Sequence, residues 1–376
     1  MTRKTLLTAV TATLLLLLPA AARAQATQVL RGEKSNEYGL VYTLPMTQLR
    51  ITVEARCTRT VAGPFASYAK KCIGADNAVT ANTTGWQITQ VSVAPEGIAD
   101  TSVKYLMQLK PGMNTFLTVA GDGMLRTVNA ELPEQEQEPL VTSRTVMPES
   151  DFDPDAYLKY VTADFLSAQS TGRQAQLLAD AIMELRTRRQ ELTMGTADEM
   201  PPDGNALKHT LDELAAQEKA LMDAFLGHTE SFTLTRSYSY LPDKEGRSVL
   251  LRVSDFDGLT EADDYAGEPL YISVEVTDRP GLPKDEKTGA DKVLPKDAVC
   301  YVIPGAARVT LSYRGRNLFD SEMRMAQYGI VFGLNPLLFT DRKNPAYAIF
   351  DPATGAVSEI GQVADFGKLI WSAGLP

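Results

Sequence analysis

The apolar positions change period twice along the chain, and each change marks a boundary. From Tyr38 to Asn129 they mostly alternate, as in half-buried strands. Leu40, Tyr42 and Leu44 alternate first, then Leu49, Ile51 and Val53 after Pro45. Gly63-Pro64 opens a short helix over Phe65–Cys72 that Gly74 stops, with proline at the first turn and glycine past the last. Strand signals return at Trp86–Val93, Val103–Leu109 and Thr115–Val119. Gly121-Asp122-Gly123 then turns the chain into Met124–Val128.

Between Thr171 and Gly227 the period becomes helical. Leu178, Ile182, Leu185 and Leu192 fall on one stripe; Leu207, Leu211, Leu214, Leu221 and Phe225 fall on a second. Gly195 ends the first helix, and Pro202, Asp203 and Gly204 make the turn. A connection this short predicts antiparallel neighbours. Arg189 and Glu218 interrupt the two stripes. Pairing across the seam sets Leu185 near Glu218 and Leu192 near Leu211, so Arg186 or Arg189 reaches Glu218. A charge on an apolar stripe has to be paired, and an Arg–Glu bridge that fixes register is the expectation. A ligand site lined by the same residues is the rival.

After Gly227 alternation returns, with Phe232, Leu234, Tyr238 and Tyr240. Short strands follow at Val249–Val253, Leu270–Val276, Val299–Ile303, Ala307–Tyr313, Asn317–Met325 and Tyr328–Phe332. A last hairpin is read over 345–360. This spacing suggests a sandwich. The expected fold class is α+β: two β-rich domains, the first a sheet with one short helix and the second sandwich-like, flanking a central antiparallel helical hairpin. The expected boundaries are a signal peptide at 1–24, an N-terminal α+β domain at 25–130, an acidic linker at 131–155, the hairpin region at 156–228 and a C-terminal β domain at 229–376.

Composition adds an address. Arg3 and Lys4 precede an apolar run from Leu6 to Leu18, and Ala22-Arg23-Ala24 is a small-x-small site, so the start reads as a secretory signal peptide cut near Ala24. No later apolar run approaches the length of a membrane span, so the mature chain is expected to carry no transmembrane segment and to lie in the periplasm or at the cell surface. A formal charge of −10 argues against nucleic acid, whose phosphates need a basic face. The linker carries eight acids against one base, Arg144, and is expected to be exposed. Three cysteines, Cys57, Cys72 and Cys300, leave at least one outside any disulfide. A Cys57–Cys72 bridge and three separate buried thiols are both open.

Candidate chemistry is sparse. Only His209 and His228 are available as imidazole bases, and no serine sits in a Gly-x-Ser-x-Gly turn. There is neither a phosphate-binding loop nor a dinucleotide fingerprint. Asp151, Asp153 and Asp155 alternate, but positions six and twelve of that loop are Ala156 and Thr162, not the Gly and Glu a calcium loop needs. The densest carboxylate loop holds Asp255, Asp257 and Asp264. Calcium is the cation its oxygens would suit, and a solvated connection between strands is the competing account.

The helical stretch carries a resemblance. Leu185-Arg186-x-x-Arg189, Gly195, Pro202-Asp203-Gly204, Leu211-x-Glu213-Leu214-x-x-x-Glu218 and Phe225-x-Gly227 resemble the centre of an uncharacterised family of exported bacterial proteins, known only as a domain of unknown function. Tyr42-x-Leu44-Pro45, Gly63-Pro64-Phe65-Ala66-x-Tyr68-Ala69, Gly121-Asp122-Gly123 and Gln327-x-Gly329 are similar to it too. Cys72 and Ile73 stand where that family is expected to carry larger apolar residues, which counts against a family disulfide at Cys72. The resemblance implies an exported α+β protein and no activity. The functional expectation is an exported cell-envelope protein of binding or structural type, its partner an envelope protein or a glycan, with no catalytic residues assigned. The alternative is a carboxylate- or calcium-assisted enzyme on an envelope or glycan substrate.

Overall fold

Alternation over Pro45–Val61 is so regular that Leu49, Ile51, Val53, Ala55 and Cys57 are each 0% exposed while the residues between them are not. That strand, β2, organises the molecule. The computed structural model describes residues 39–108, 115–132, 148–295, 297–341 and 343–364. The segments expected as a signal peptide, at 1–24, and, for the most part, as an acidic linker, at 131–155, therefore lie outside the described residues. The described residues are mixed α/β, 44% strand and 24% helix, so sheets are the framework and helices an addition to it.

Four sheets form. Strand β1 (Gly39–Tyr42) pairs with β4 (Tyr105–Gln108). Strand β2 lies between β3 (Thr83–Ala99) and β7 (His228–Tyr240). Strands β5 (Leu117–Val119) and β6 (Leu125–Val128) join β13 (Ala346–Phe350) and β14 (Val357–Gln362) in the order β14-β13-β6-β5. The last sheet runs β12-β11-β10-β8-β9, from β8 (Gly246–Ser254), β9 (Gly258–Thr260), β10 (Glu268–Asp278), β11 (Val299–Tyr313) and β12 (Arg316–Leu334).

The β3-β2-β7 sheet and the five-stranded sheet pack as a sandwich around one core, and the two come from both sides of the helical segment, not from one C-terminal domain. Leu49, Ile51, Val53, Cys57 and Trp86 pack against Leu251, Ile272, Val274, Val309 and Leu311 in one core. Each such side chain contributes about 1.5–3 kcal/mol on burial. The sequence boundaries at 130 and 229 thus do not coincide with sheet boundaries: β7 joins β2 over thirteen registered pairs, from Leu49–Tyr240 to Val61–His228. A second core gathers Tyr42, Met107, Val128, Val302, Phe339 and Phe350. Cys57 and Cys72 are not bridged, the first buried and the second half-buried.

The stretches expected as separate strands at 299–303 and 307–313 form one strand, as do those at 317–325 and 328–332. Pro304-Gly305 bends the β11–β12 ladder at a register shift between Ile303 and Gly305 and does not end it. The crossing is tight: a Cβ on Gly329 would lie 2.1 Å from the Ile303 carbonyl. Beside it Gln327 stitches the sandwich closed. Its Nε2 donates to the carbonyls of Thr47, at 2.9 Å, and Pro242, at 3.1 Å, while its Oε1 accepts from the Thr47 amide at 3.0 Å.

Five α-helices are described. α1 (Ala69–Ile73) follows the Gly63-Pro64 turn, α2 (Ala163–Ser167) precedes the long pair, and α5 (Leu337–Thr340) is a single turn. The long pair is α3 (Thr171–Met194) and α4 (Gly204–Leu226). Ser170 caps α3 by accepting from the Arg173 amide, and Asp203 caps α4 by accepting from the Ala206 amide at 2.8 Å. Gly195 closes α3 in the left-handed conformation. Leu178, Ile182, Leu221 and Phe225 bury against Phe65, Ala69, Tyr157 and Phe165 in a third core.

A candidate ligand-binding cleft at the helix–strand junction

At Gly227 the chain leaves α4 and becomes β7 without a loop. Its φ of +70° favours glycine, and a Cβ there would lie 2.4 Å from the Val61 carbonyl. This turn brings the end of α4 beside the start of β7, and the acidic segment crosses in front of both. The result is a cleft of about 540 Å³, lined by Phe152, Asp153, Lys219, Asp223, His228 and Glu230 among others.

Its floor is a charge-assisted clasp. Arg59 on β2 stands opposite Glu230 in register, and its Nε and Nη2 both meet Glu230 Oε1. Ser150 Oγ donates to Glu230 Oε2 at 3.0 Å, and Arg59 also reaches the Pro148 carbonyl at 3.4 Å. The Phe152 ring stacks on the His228 imidazole, centroids 4.4 Å apart and planes within 7°. Partial burial pushes the Glu230 carboxyl up. The hydrogen bonds from Ser150 and Arg59, with the charges of Arg59 and His228, outweigh it and hold the group below the ordinary carboxylate range. On the opposite wall Lys219 pairs with Asp223 at 2.6 Å.

Two cleft residues, His228 and Glu230, meet Ser150 beside the cleft, but not in the order of a Ser-His-Asp triad. In a triad the imidazole stands between the other two. Here Ser150 bonds to the carboxylate directly, and His228 Nε2 lies 4.0 Å from the same Glu230 oxygen. The imidazole face is covered by the Phe152 ring.

The residues singled out in the sequence lie elsewhere. Glu218 receives Arg186 Nε at 2.6 Å and Arg189 Nη1 at 2.5 Å, one on each oxygen. Its side chain is 12% exposed and the two arginines 41% and 43%, so the charges are shared between seam and solvent. Pro202, Asp203 and Gly204 lead into α4, with Asp203 as its cap. Asp255 and Asp257 are exposed in the β8–β9 turn. Asp257 approaches Ser254 Oγ at 3.4 Å, and Asp264 accepts from the Ala266 amide. Asp257 and Asp264 thus bond within their own turns, and among the described residues no group of three His, Cys, Asp or Glu is placed to hold a metal ion. His209 is exposed on α4. Sequence reasoning named His228 as an available imidazole but missed Arg59, Ser150, Phe152 and Glu230. The faint signal was His228-x-Glu230 opening a strand, which puts both side chains on one face.

A family model described as a domain of unknown function, DUF4831, matches residues 38–358. No curated protein and no solved structure matches the chain. Among the described residues no helix is long and apolar enough to cross a membrane.

Proposed function

The chain belongs to the DUF4831 family, a domain of unknown function, and from that premise we propose that it is an exported cell-envelope protein that binds a partner and catalyses no reaction. The secretory pattern up to Ala24 supports export, with the periplasm or the cell surface as the address. The observation that carries the binding role is the cleft at the α4–β7 junction. It is open, it offers an aromatic–imidazole stack beside carboxylates, and its strongest acid–base groups are already engaged with one another. A few fixed polar groups beside an aromatic surface are the lining that orients and recognises a bound partner. An envelope protein or a glycan is the partner class. The helices α3 and α4 act as an antiparallel hairpin whose register Arg186, Arg189 and Glu218 pin.

The test is turnover. Mature protein incubated with a panel of glycans, peptides and esters is expected to leave all of them intact. Hydrolysis abolished by a single carboxylate substitution would sink the proposal. The calcium-assisted alternative at Asp255, Asp257 and Asp264 has its own readout, because a cation specific for the folded state raises melting temperature. Millimolar calcium is expected to leave that temperature unchanged.

A further inference from the structure

Strand β3 is the end strand of its sheet, and its outer edge differs from the other long edges. β12 carries Arg316, Asp320, Glu322 and Arg324, and β7 carries Glu230 and Arg236. Charges on an edge block further pairing. From Thr83 to Pro95, β3 has none. Its core-facing Ile88, Val91 and Val93 are only partly buried although they pack on the sandwich core. Side chains of β7 also reach the five-stranded sheet, where Arg236 Nη1 donates to the Leu259 carbonyl and Ser248 Oγ donates to Tyr240 Oη.

Two features bound the pairable part of β3. Gln90 faces Glu54 and Ile88 faces Ala55, so Thr89 is a bulge with no residue opposite it. Pro95 has no amide hydrogen to donate. Between them lies Gln90-Val91-Ser92-Val93-Ala94, with Gln90, Ser92 and Ala94 exposed and the two valines on the core side.

We propose that this window is the contact of a symmetric dimer, β3 against β3 of a second copy of the chain, antiparallel about a two-fold axis at Ser92. In that register Val91 lies opposite Val93 of the other copy at both ends. β-branched side chains opposite one another are favourable cross-strand pairs, and they extend the sandwich core over the half-buried valines. Gln90 lies opposite Ala94, and no like charges meet. The bulge and the proline stop the ladder after five residues, and the contact is isologous, so the assembly closes as a dimer and does not grow into a filament. A ladder this short falls below the ~1,200–2,000 Å² of a stable interface unless flanking loops add to it, so dimerisation depends on concentration. This inference is independent of the cleft.

Sedimentation velocity of the mature chain across the micromolar range tests it. The apparent mass of wild type is expected to double with loading. Ser92→Lys, an exposed position that sets two ammonium groups together on the axis, is expected to remain monomeric, and Asn317→Lys on the β12 edge to dimerise like wild type. Ser92→Cys is expected to form a disulfide-linked dimer under mild oxidation, because directly opposed strand residues lie within ~4.5–5.5 Å, inside the disulfide range. A wild type that stays monomeric at every loading would overturn the assignment and leave the window to an extended segment of another protein. So would a Ser92→Lys variant that dimerises as well as wild type.

Discussion

The sandwich and the helical pair are two answers to one problem, how to fix the register of packed elements. In the sandwich, Leu49, Ile51, Val53 and Cys57 meet Leu251, Ile272 and Val309 with no charged group in the core. Register comes from long ladders, because a slip of one residue would turn every apolar side chain to solvent. In the helical pair the apolar core lies near Phe65, where Leu178, Ile182, Leu221 and Phe225 gather. Farther out Glu218 takes an arginine on each oxygen. Where apolar contact thins, ionic geometry takes over. The comparison teaches that the strands are held mainly by volume and the outer helices partly by charge.

If that contrast holds, the largest loss comes from the sandwich. Trp86 is 1% exposed and packs edge-on against Phe232, centroids 5.3 Å apart. Trp86→Ala is expected to cost about 3–5 kcal/mol in a urea titration. A cost under about 1 kcal/mol would break the comparison. Gln327→Ala comes next, at about 1–3 kcal/mol, because it strands the buried amide and carbonyl of Thr47. Glu218→Ala is expected to lower the melting temperature by less, on the order of 1 kcal/mol, since both arginines are nearly half exposed and water screens them. A Glu218→Ala variant as stable as wild type would remove the register pin.

The smallest effect is at the cleft and is a matter of pH. Glu230 is held below the ordinary carboxylate value, which is about 4.3 in an unfolded chain. Its contribution to stability is therefore complete above that value and is lost as pH falls through the lower folded one. Glu230→Gln is expected to lose stability less steeply than wild type between about pH 6 and pH 3. Parallel curves would show that the clasp adds nothing.

These contrasts also mark what the sequence could show. The helices were legible because their information is local. The apolar stripes, the turn at Asp203, the stop at Gly195 and the reach of Arg186 and Arg189 to Glu218 all sit within one contiguous stretch. The strands were legible as strands, but their partners were not. Nothing in the alternation of Leu49, Ile51 and Val53 says that their neighbour is Ser237-Tyr238-Ser239-Tyr240, almost two hundred positions on. Pro304-Gly305 read as a break because a proline removes a ladder hydrogen bond, and a bulge absorbed it. The cleft stayed hidden for the same reason as the sheets, since Arg59, Ser150 and Glu230 come from three distant segments. Gln327 was legible only as a polar residue within a strand run; its contact with Thr47, the stitch between β12 and β2, depends on the tertiary fold.

The binding role of the cleft is the central claim, and a photo-crosslinking amino acid at exposed Asp151, on the rim, tests it most directly. In living cells of the native host, irradiation is expected to give one discrete adduct at Asp151. The same group at exposed Asp212 on α4, outside the cleft, is expected to give none. No adduct at Asp151, or the same adduct from both positions, would contradict a partner bound at the α4–β7 cleft.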